Sequence, residues 1–526
     1  MMEQTVTIPQ HYNLAEEVEK EADLEQLAII WRNDQGDQVE WNYRQLIKRM
    51  NQLANVFMTL GLEKDDRVLL LFPRVPEAYA TYLACIKAGL AIIPCSGMLR
   101  AKDLAYRIQH AKAKGVIAYG SLTEEVDKIT DELPSLKVKG VFAQSAEGWH
   151  DLHLLQENES DYYQVETTKD DVAFLPYTSG TTGNPKAVVH TQGWAYAHLK
   201  TASTEWLGVN KGDVVWATAA PGWQKWVWSP FLSVIGKHAT AFVYDGPFDA
   251  KKYLQLIDDY QVSVFCATPT EYRMLAKEEA LSTYKLDSVK QAVSAGEPLN
   301  RAVISTFQEE FGLTVRDGYG QTENTLLIGT MIGMEARPGS MGKPTVGNGV
   351  KLITELGEEA PIGEVGMIAV HKSAPALFQR YDQDSERTKQ AFIGDYYVTG
   401  DLAKQDEEGY YWFEGRGDDI IISSGYTIGP FEVEDALTKH PDVKECAVVA
   451  SPDEVRGSIV KAFVVLNREM NQLDELAIEL QEFVKRETAP YKYPRVIEFI
   501  DELPKTVSGK TRRIELRKRE NERYHT

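Results

Sequence analysis

Residues 177 to 190 read YTSGTTGNPKAVVH, four hydroxyls and two glycines followed by a lysine. Such a run offers no side chain for a core, and its glycines cost backbone entropy on folding. Its chemistry is donation: exposed amides, the hydroxyls of Thr178, Ser179, Thr181 and Thr182, and the Lys186 ammonium suit the acceptor oxygens of a polyphosphate. The P-loop pattern requires lysine directly after its last glycine and a hydroxyl next. Here Asn184 and Pro185 separate Gly183 from Lys186, and Ala187 follows, so Gly180 to Gly183 belong to a different phosphate loop.

Five further stretches follow in order: SAGEPLN (294 to 300), DGYGQTE (317 to 323), TGDLA (399 to 403), GRGDDIIISSGYTIGPFEVE (415 to 434) and PKTVSGKTRR (504 to 513). With the first, they resemble the adenylate-forming superfamily of acyl-CoA synthetases, adenylation domains and luciferases, over residues 40 to 515. ISSGYTIGPFEVEDAL, SPDEVRGSIVKAFVVL and TAPYKYPRVIEF are similar to the C-terminal part of the medium-chain acyl-CoA synthetases.

The resemblance implies a two-step reaction. A carboxylate attacks the α-phosphorus of ATP to give acyl-AMP and pyrophosphate, and the thiol of coenzyme A then displaces AMP. Lys186, Thr322, Glu323 and Lys510 would form the catalytic set, Glu323 holding Mg²⁺. Thr178 to Lys186 would wrap the β- and γ-phosphates, and Thr322 would bond the α-phosphate. Gly296, Glu297 and Pro298 would bracket adenine against Asp317, Gly318 and Tyr319, in a nucleotide site that also takes in Gly320 and Gln321. Asp401 and Arg416 would hold the ribose, and Lys510 would bridge carboxylate and α-phosphate. Ser423, Ser424, Gly425, Arg456, Tyr491, Lys492 and Tyr493 would line the coenzyme A path, and Asp418 would be the hinge of a mobile C-terminal domain. Thr427 departs from the pattern, standing where many relatives carry arginine.

The acid is expected to be apolar, medium-length or short and branched. Trp223, Gly318, Tyr319 and Gly320 would line its pocket, Gly320 leaving open volume where acetyl-CoA synthetases carry tryptophan. Trp226 and Trp228 are expected in the core. No aspartate lies between Trp216 and Phe231 to pair an amino acid's ammonium. An aryl-CoA ligase, a carrier-protein acyl-AMP ligase and a non-catalytic nucleotide-binding protein are the alternatives.

Placing these groups takes more than one core, since 526 residues exceed a single domain. Apolar runs at Val68 to Phe72, Leu90 to Pro94 and Val116 to Ala118 alternate with helical patterns at Glu77 to Lys87 and Leu104 to Ala113, a βαβ rhythm that predicts parallel sheet. It resumes at Val262 to Ala267 and Gln291 to Ser294, with a helix from Asn300 to Phe311. From about residue 345 short strands and frequent turns predict a small antiparallel barrel. An α+β unit follows, with helices at 432 to 439 and 474 to 486. The fold class is α/β: an N-terminal domain (1 to 417) of two αβ subdomains plus the barrel, and a small C-terminal domain (418 to 526).

A net charge of -21 argues against general affinity for nucleic acid. Lys505, Lys510, Arg512, Arg513, Arg517, Lys518 and Arg519 are expected to supply a local positive pocket for polyanions. Cys85, Cys95, Cys266 and Cys446 form no C-x-x-C pair and read as reduced, buried thiols. The acidic N-terminus lacks a signal-peptide core, and no apolar run of about 18 residues could span a membrane. A cytoplasmic protein is expected, monomeric or homodimeric.

Overall fold

The computed structural model describes residues 6–130, 133–178, 185–297, 299, 301–417, 419–423, 426–453, 457–468, 472–488, 490–506 and 510–524. Two large sheets form its body. In the first, strands Val172–Phe174, Ala91–Cys95, Arg67–Leu71, Gly115–Tyr119, Val138–Phe142 and His150–Asp151 run parallel in that order. Lys186–Thr191 and then Arg380–Tyr381 extend it antiparallel. Arg67–Leu71 and Ala91–Cys95 are almost wholly buried, as parallel strands covered on both faces must be. The helix between them, Pro76–Ala88, opens with proline in its first turn and stops at Gly89, whose φ of 72° is the left-handed cap.

The second sheet orders Leu27–Asn33, Thr240–Asp245, Val214–Ala217, Val264–Ala267, Gln291–Ala295 and Val315–Gly320 in parallel. Gln38–Asn42 pairs antiparallel at one edge, and Leu326–Gly329 and Lys343–Pro344 at the other. Insertion of Leu27–Asn33 beside a strand some 210 residues away is invisible in local sequence. The segment 345 to 417 forms a curled antiparallel sheet of Val350–Ile353, Val365–His371, Tyr396–Gln405, Phe392–Ile393 and Tyr411–Arg416. Beyond it, helices Pro430–Thr438 and Leu473–Glu487 cover strands Val443–Asp453, Gly457–Leu466 and Val496–Phe499.

The C-terminal helix Arg513–Tyr524 corrects one expectation. The basic run is not a positive pocket but one side of an ion-pair lattice. Lys505 meets Glu445 at 2.7 Å, Arg512 meets Glu515 at 2.5 Å, and Lys518 meets Glu522 at 3.7 Å. Arg513 grips Glu434 at 2.5 Å, and Arg517 and Arg519 pair with Asp419 and Glu498. Of the seven cations only Lys510 has no ion-pair partner among the described residues.

The same helix is anchored by Lys461, whose Nζ lies 2.8 Å from both Glu520 and Glu498. Lys461→Met would leave two facing carboxylates. The expected loss is about 3 kcal/mol, the low end for orphaning a buried charge, because Glu498 is partly exposed and keeps Arg523. Urea unfolding measures it, and Lys461→Met with Glu520→Leu should recover most of the midpoint.

Candidate active site

The end of strand Val315–Gly320 delivers the DGYGQTE residues to the curled sheet's Tyr396–Gln405 strand. Their meeting point is Asp401. Its Oδ2 accepts from the Tyr319 hydroxyl at 2.5 Å and the Gln321 amide at 2.7 Å, while Arg416 stands 3.5 Å from Oδ1. Burial pushes the Asp401 carboxyl up; Arg416, the two hydrogen bonds and the charge of Lys510 oppose it. Lys510 thus reaches the electrostatic field of a site built on another part of the chain. Its backbone is pinned by the exchange of hydrogen bonds with Thr506, at 2.7 and 3.1 Å.

Gln321 is fully engaged as scaffold, donating to the Thr399 carbonyl at 2.9 Å and accepting from Tyr397 at 3.0 Å. Glu323 is buried, and its Oε1 accepts from the Tyr381 hydroxyl at 2.8 Å. The Lys186 ammonium lies 3.7 Å from that oxygen, 3.3 Å from the Tyr381 hydroxyl and 4.4 Å from the ring centroid. Burial lowers the lysine's pKa; Glu323 opposes this, and Arg387 and Arg416 add to it. Beneath, His190 Nε2 sits 2.6 Å from the Thr322 carbonyl, with its ring stacked on Trp194. Burial brings that imidazole down to about 4, so it is neutral near pH 7.

On the other flank the Glu297 carboxylate is 3.3 Å from Arg273 and 3.2 Å from the Thr270 hydroxyl. Gly296 has φ 111° and nothing within 4 Å of a built Cβ, so open space lies beside it. Gly318 and Gly320 differ. A Cβ on Gly318 would lie 2.6 Å from the Trp206 indole. One on Gly320 would lie 2.2 Å from the Thr325 carbonyl oxygen and 3.1 Å from the Trp228 ring. The open volume expected behind Gly320 is therefore filled, and both glycines serve close packing; only their opposite backbone faces are left to line an acyl site. Trp226 and Trp228 are both core as expected, Trp226 stacked on Phe231 and Trp228 buried against the filled side of Gly320.

Around Trp223 the chain folds unusually. Gly222 takes φ 93°, and residues Val227–Ser233 form a π-helical turn containing Pro230. Along 224 to 229, five buried polar atoms have no hydrogen-bond partner among the described residues: both amide atoms of Gln224, Lys225 Nζ, Trp228 Nε1 and Ser229 Oγ. The Lys225 ammonium instead lies 4.8 Å from the Trp206 ring centroid.

Residues 15–381 match the family model described as AMP-binding enzyme, and residues 432–510 match AMP-binding enzyme C-terminal domain. The chain belongs to the AMP-binding enzyme family. It is 56% identical over 517 residues to the uncharacterized acyl-CoA ligase YtcI of Bacillus subtilis, covering 98% of this chain and 97% of the relative. It is 41% identical to the mitochondrial acyl-coenzyme A synthetase ACSM3 of Mus musculus, covering 98% and 92%. Among solved structures, the anthranilate CoA ligase AuaEII in complex with anthranoyl-AMP superposes with a TM-score of 0.90 at 27% identity, covering 99% of each chain. A benzoate CoA ligase from Burkholderia xenovorans gives 0.84 at 28% identity, covering 96% of this chain and 100% of that one.

Within this AMP-binding enzyme the structure gathers Lys186, Glu323, Tyr319, Gln321, Asp401 and Arg416 through shared partners, with Lys510 in the field of Asp401. The coenzyme A candidates are not gathered there. Lys492 pairs with Glu432, the Tyr493 hydroxyl accepts from Arg495 at 2.7 Å, and the Ser423 side chain is buried. Ser179 to Asn184, Pro298, Asp418, Ser424, Gly425 and Arg456 lie outside the described residues. Tyr381 and His190 were missed by sequence reasoning. His190 lies four residues after Lys186, an even spacing that shares a strand face, whereas nothing local marks Tyr381 as the partner of Glu323.

Two outcomes follow. Asp317 is buried, and burial raises its carboxyl to about 7 against hydrogen bonds from the Gly318 and Leu299 amides and the charge of Lys225. The folded state holds this proton more tightly than the unfolded chain, with its ordinary value of about 3.9. The cost of ionising it is therefore absent below pH ~4, grows from there to about 7 and is full above. Asp317→Asn should stabilise the protein more at pH 8 than at pH 5, read as a widening gap in thermal midpoint. Gly320→Ala should lose about 3 kcal/mol, the upper end of overpacking costs, because the clash is with backbone rather than a flexible side chain. An unchanged denaturation midpoint would contradict that packing.

Proposed function

We propose that the protein is an AMP-forming acyl-CoA synthetase that joins a medium-chain or short branched carboxylic acid to coenzyme A through an acyl adenylate. The activity class is that of an acid–thiol ligase using ATP, in keeping with 56% and 41% identity to acyl-CoA ligases along nearly the full chain. The observation that carries the residue-level reading is Lys510, without an ion-pair partner among the described residues in an otherwise neutralised basic run and within the field of Asp401.

A carboxylate is already ionised near pH 7, so adenylation needs no general base. It needs alignment and neutral surroundings for two anions that must approach. In this reading Arg416 and Asp401 fix the ribose and Lys186 takes the β- and γ-phosphates. Lys510 lies between the acid's carboxylate and the α-phosphate. Pentavalent charge at phosphorus then develops against preplaced cations, and pyrophosphate leaves. Mg²⁺ favours one or two carboxylates with phosphate oxygens and water. Glu323, a single buried carboxylate beside the phosphate lysine, fits that donor set. The Thr322 hydroxyl is assigned to the α-phosphate.

For the second step we assign residues 418 to 526 as a domain that turns about Asp418, withdrawing Lys510 and bringing Lys492 and Tyr493 to coenzyme A. In the present arrangement both are held inside that unit. The acyl wall would run from Trp223 to the backbone face of Gly320 that is turned away from Trp228. The free cysteines, three of them buried, fit a reducing cytoplasmic setting, and no described helix is long and apolar enough to cross a membrane.

The products should be AMP and pyrophosphate, formed with Mg²⁺, and ADP with phosphate would defeat the mechanism. Lys510→Ala should lower acyl-AMP formation by at least about a hundredfold, the scale of removing one preplaced charge-stabilising donor. It should still convert supplied acyl-AMP and coenzyme A to thioester. Equal loss of both half-reactions would make Lys510 structural.

A further inference from the structure

Behind Lys186 lies a cavity of about 220 Å³ lined mainly by Tyr106, His110, Lys186, Tyr381, Asp382 and Arg387. At roughly 30 Å³ per water it could hold about seven, or a diphosphate with part of its hydration shell. Lys186 and Tyr381 are walls of this cavity and are also the groups that touch Glu323. Tyr319, Asp401 and Arg416, on the nucleoside side, are not among the walls. The space therefore opens from the phosphate end of the site and stands apart from the place assigned to the adenylate.

The charges of the cavity are arranged for an anion. Asp382 is already consumed by Arg67, which bonds both its oxygens at 2.7 and 3.1 Å. Asp384 caps the helix Ser385–Gln390, accepting from the Arg387 amide at 3.0 Å, and leaves its other oxygen 3.4 Å from Arg387 Nε. That contact orients the guanidinium from its base. Arg387 is close enough to lower the pKa of Lys186, an effect behind those of burial and of Glu323, and it acts on Tyr381 in the same direction. Each cation keeps one carboxylate at 3.4 to 3.7 Å, Asp384 for Arg387 and Glu323 for Lys186, and an arginine fork matches phosphate oxygens two at a time.

We propose that this cavity is the departure site of pyrophosphate, with Arg387 as the residue that receives it. The proposal rests on the adenylate-forming reading above. In that step a bond forms between the acid's carboxylate oxygen and the α-phosphorus. The bond from the α-phosphorus to the bridging oxygen breaks, and its electron pair leaves on pyrophosphate. No proton or redox partner is required. Arg387 makes no contact with the acid and acts on the leaving group. It should therefore set the affinity for pyrophosphate in both directions, as product inhibitor and as substrate of the reverse reaction.

The test is exchange of labelled pyrophosphate into ATP, run on the full chain with a medium-chain acid. Arg387→Gln should raise KM for pyrophosphate about tenfold or more, as expected for loss of a charge-assisted contact. It should weaken pyrophosphate inhibition of thioester formation by a similar factor, while KM for the acid stays within about twofold. Arg387→Lys should recover part of the loss. A folded Arg387→Gln protein with unchanged KM for pyrophosphate would overturn the assignment, as would a uniform loss of kcat that Arg387→Lys does not relieve. Absence of any exchange in the unsubstituted protein would instead remove the adenylate-forming reading on which the proposal stands.

Discussion

One buried carboxylate organises the site. Asp401 is 5% exposed and survives as an acceptor because Tyr319, Gln321 and Arg416 converge on it. Those three groups come from two separate strands and a loop 80 residues away, so the contact closes the second large sheet onto the curled one. Burial alone would favour the protonated acid, which would turn an acceptor of three donors into a competitor for them. The cations around it are therefore a condition of the fold before they are instruments of chemistry. In the proposed reading a ribose hydroxyl arriving at Asp401 would meet an acceptor already oriented, with no reorganisation left to do.

The acidic balance of the chain takes on a related meaning. With 78 acidic against 57 basic residues, most lysines and arginines find a carboxylate close by. Along the C-terminal helix this pairing is nearly complete, and it fixes the helix on strands Val443–Asp453 and Gly457–Leu466. The exception is placed just before the helix begins, on a loop closed by the Lys505–Thr511 bridge. Neutralising the neighbours leaves Lys510 as a single directed charge rather than part of a diffuse basic surface, which is what the role proposed for it requires.

The parts of the molecule legible in sequence were those set by local pattern. The strand at Arg67–Leu71, the helix Pro76–Ala88, the helix Leu473–Glu487 and the change of texture near residue 345 all follow from apolar period and turn residues. What failed depended on partners remote in sequence. Gly320 reads as an open position only while nothing is known to lie across from it; the carbonyl of Thr325 and the ring of Trp228 do. The basic C-terminal run reads as a pocket until Glu434, Asp419, Glu445 and Glu498 are seen beside it. Tyr381 could not be connected to Glu323, 58 residues away, because Tyr381 reaches that carboxylate only by pairing with the remote strand Lys186–Thr191 at the first sheet's edge.

Unsatisfied buried polar atoms are densest along 224 to 229. Around Asp401 the polar groups find partners within the protein: Gln321 uses both ends of its amide, Glu323 has Tyr381, and Asp401 has Tyr319, Gln321 and Arg416, while Thr178 Oγ1, His190 Nδ1 and Asn324 Nδ2 have none among the described residues. In the segment proposed to face the acid, Gln224, Lys225, Trp228 and Ser229 bury polar atoms without partners among the described residues, where the chain is bent by a π-helical turn and an internal proline. Each such atom costs free energy that a fully bonded arrangement would not, and helical bulges of this kind concentrate where backbone is held for use rather than for stability. In the proposed reading the nucleotide is the same molecule in every turnover, so its cradle can be held rigidly. By the same reading the segment 224 to 229 must give way to accept an acyl chain, and its unsatisfied groups would keep its closed arrangement from becoming the deepest well available to it.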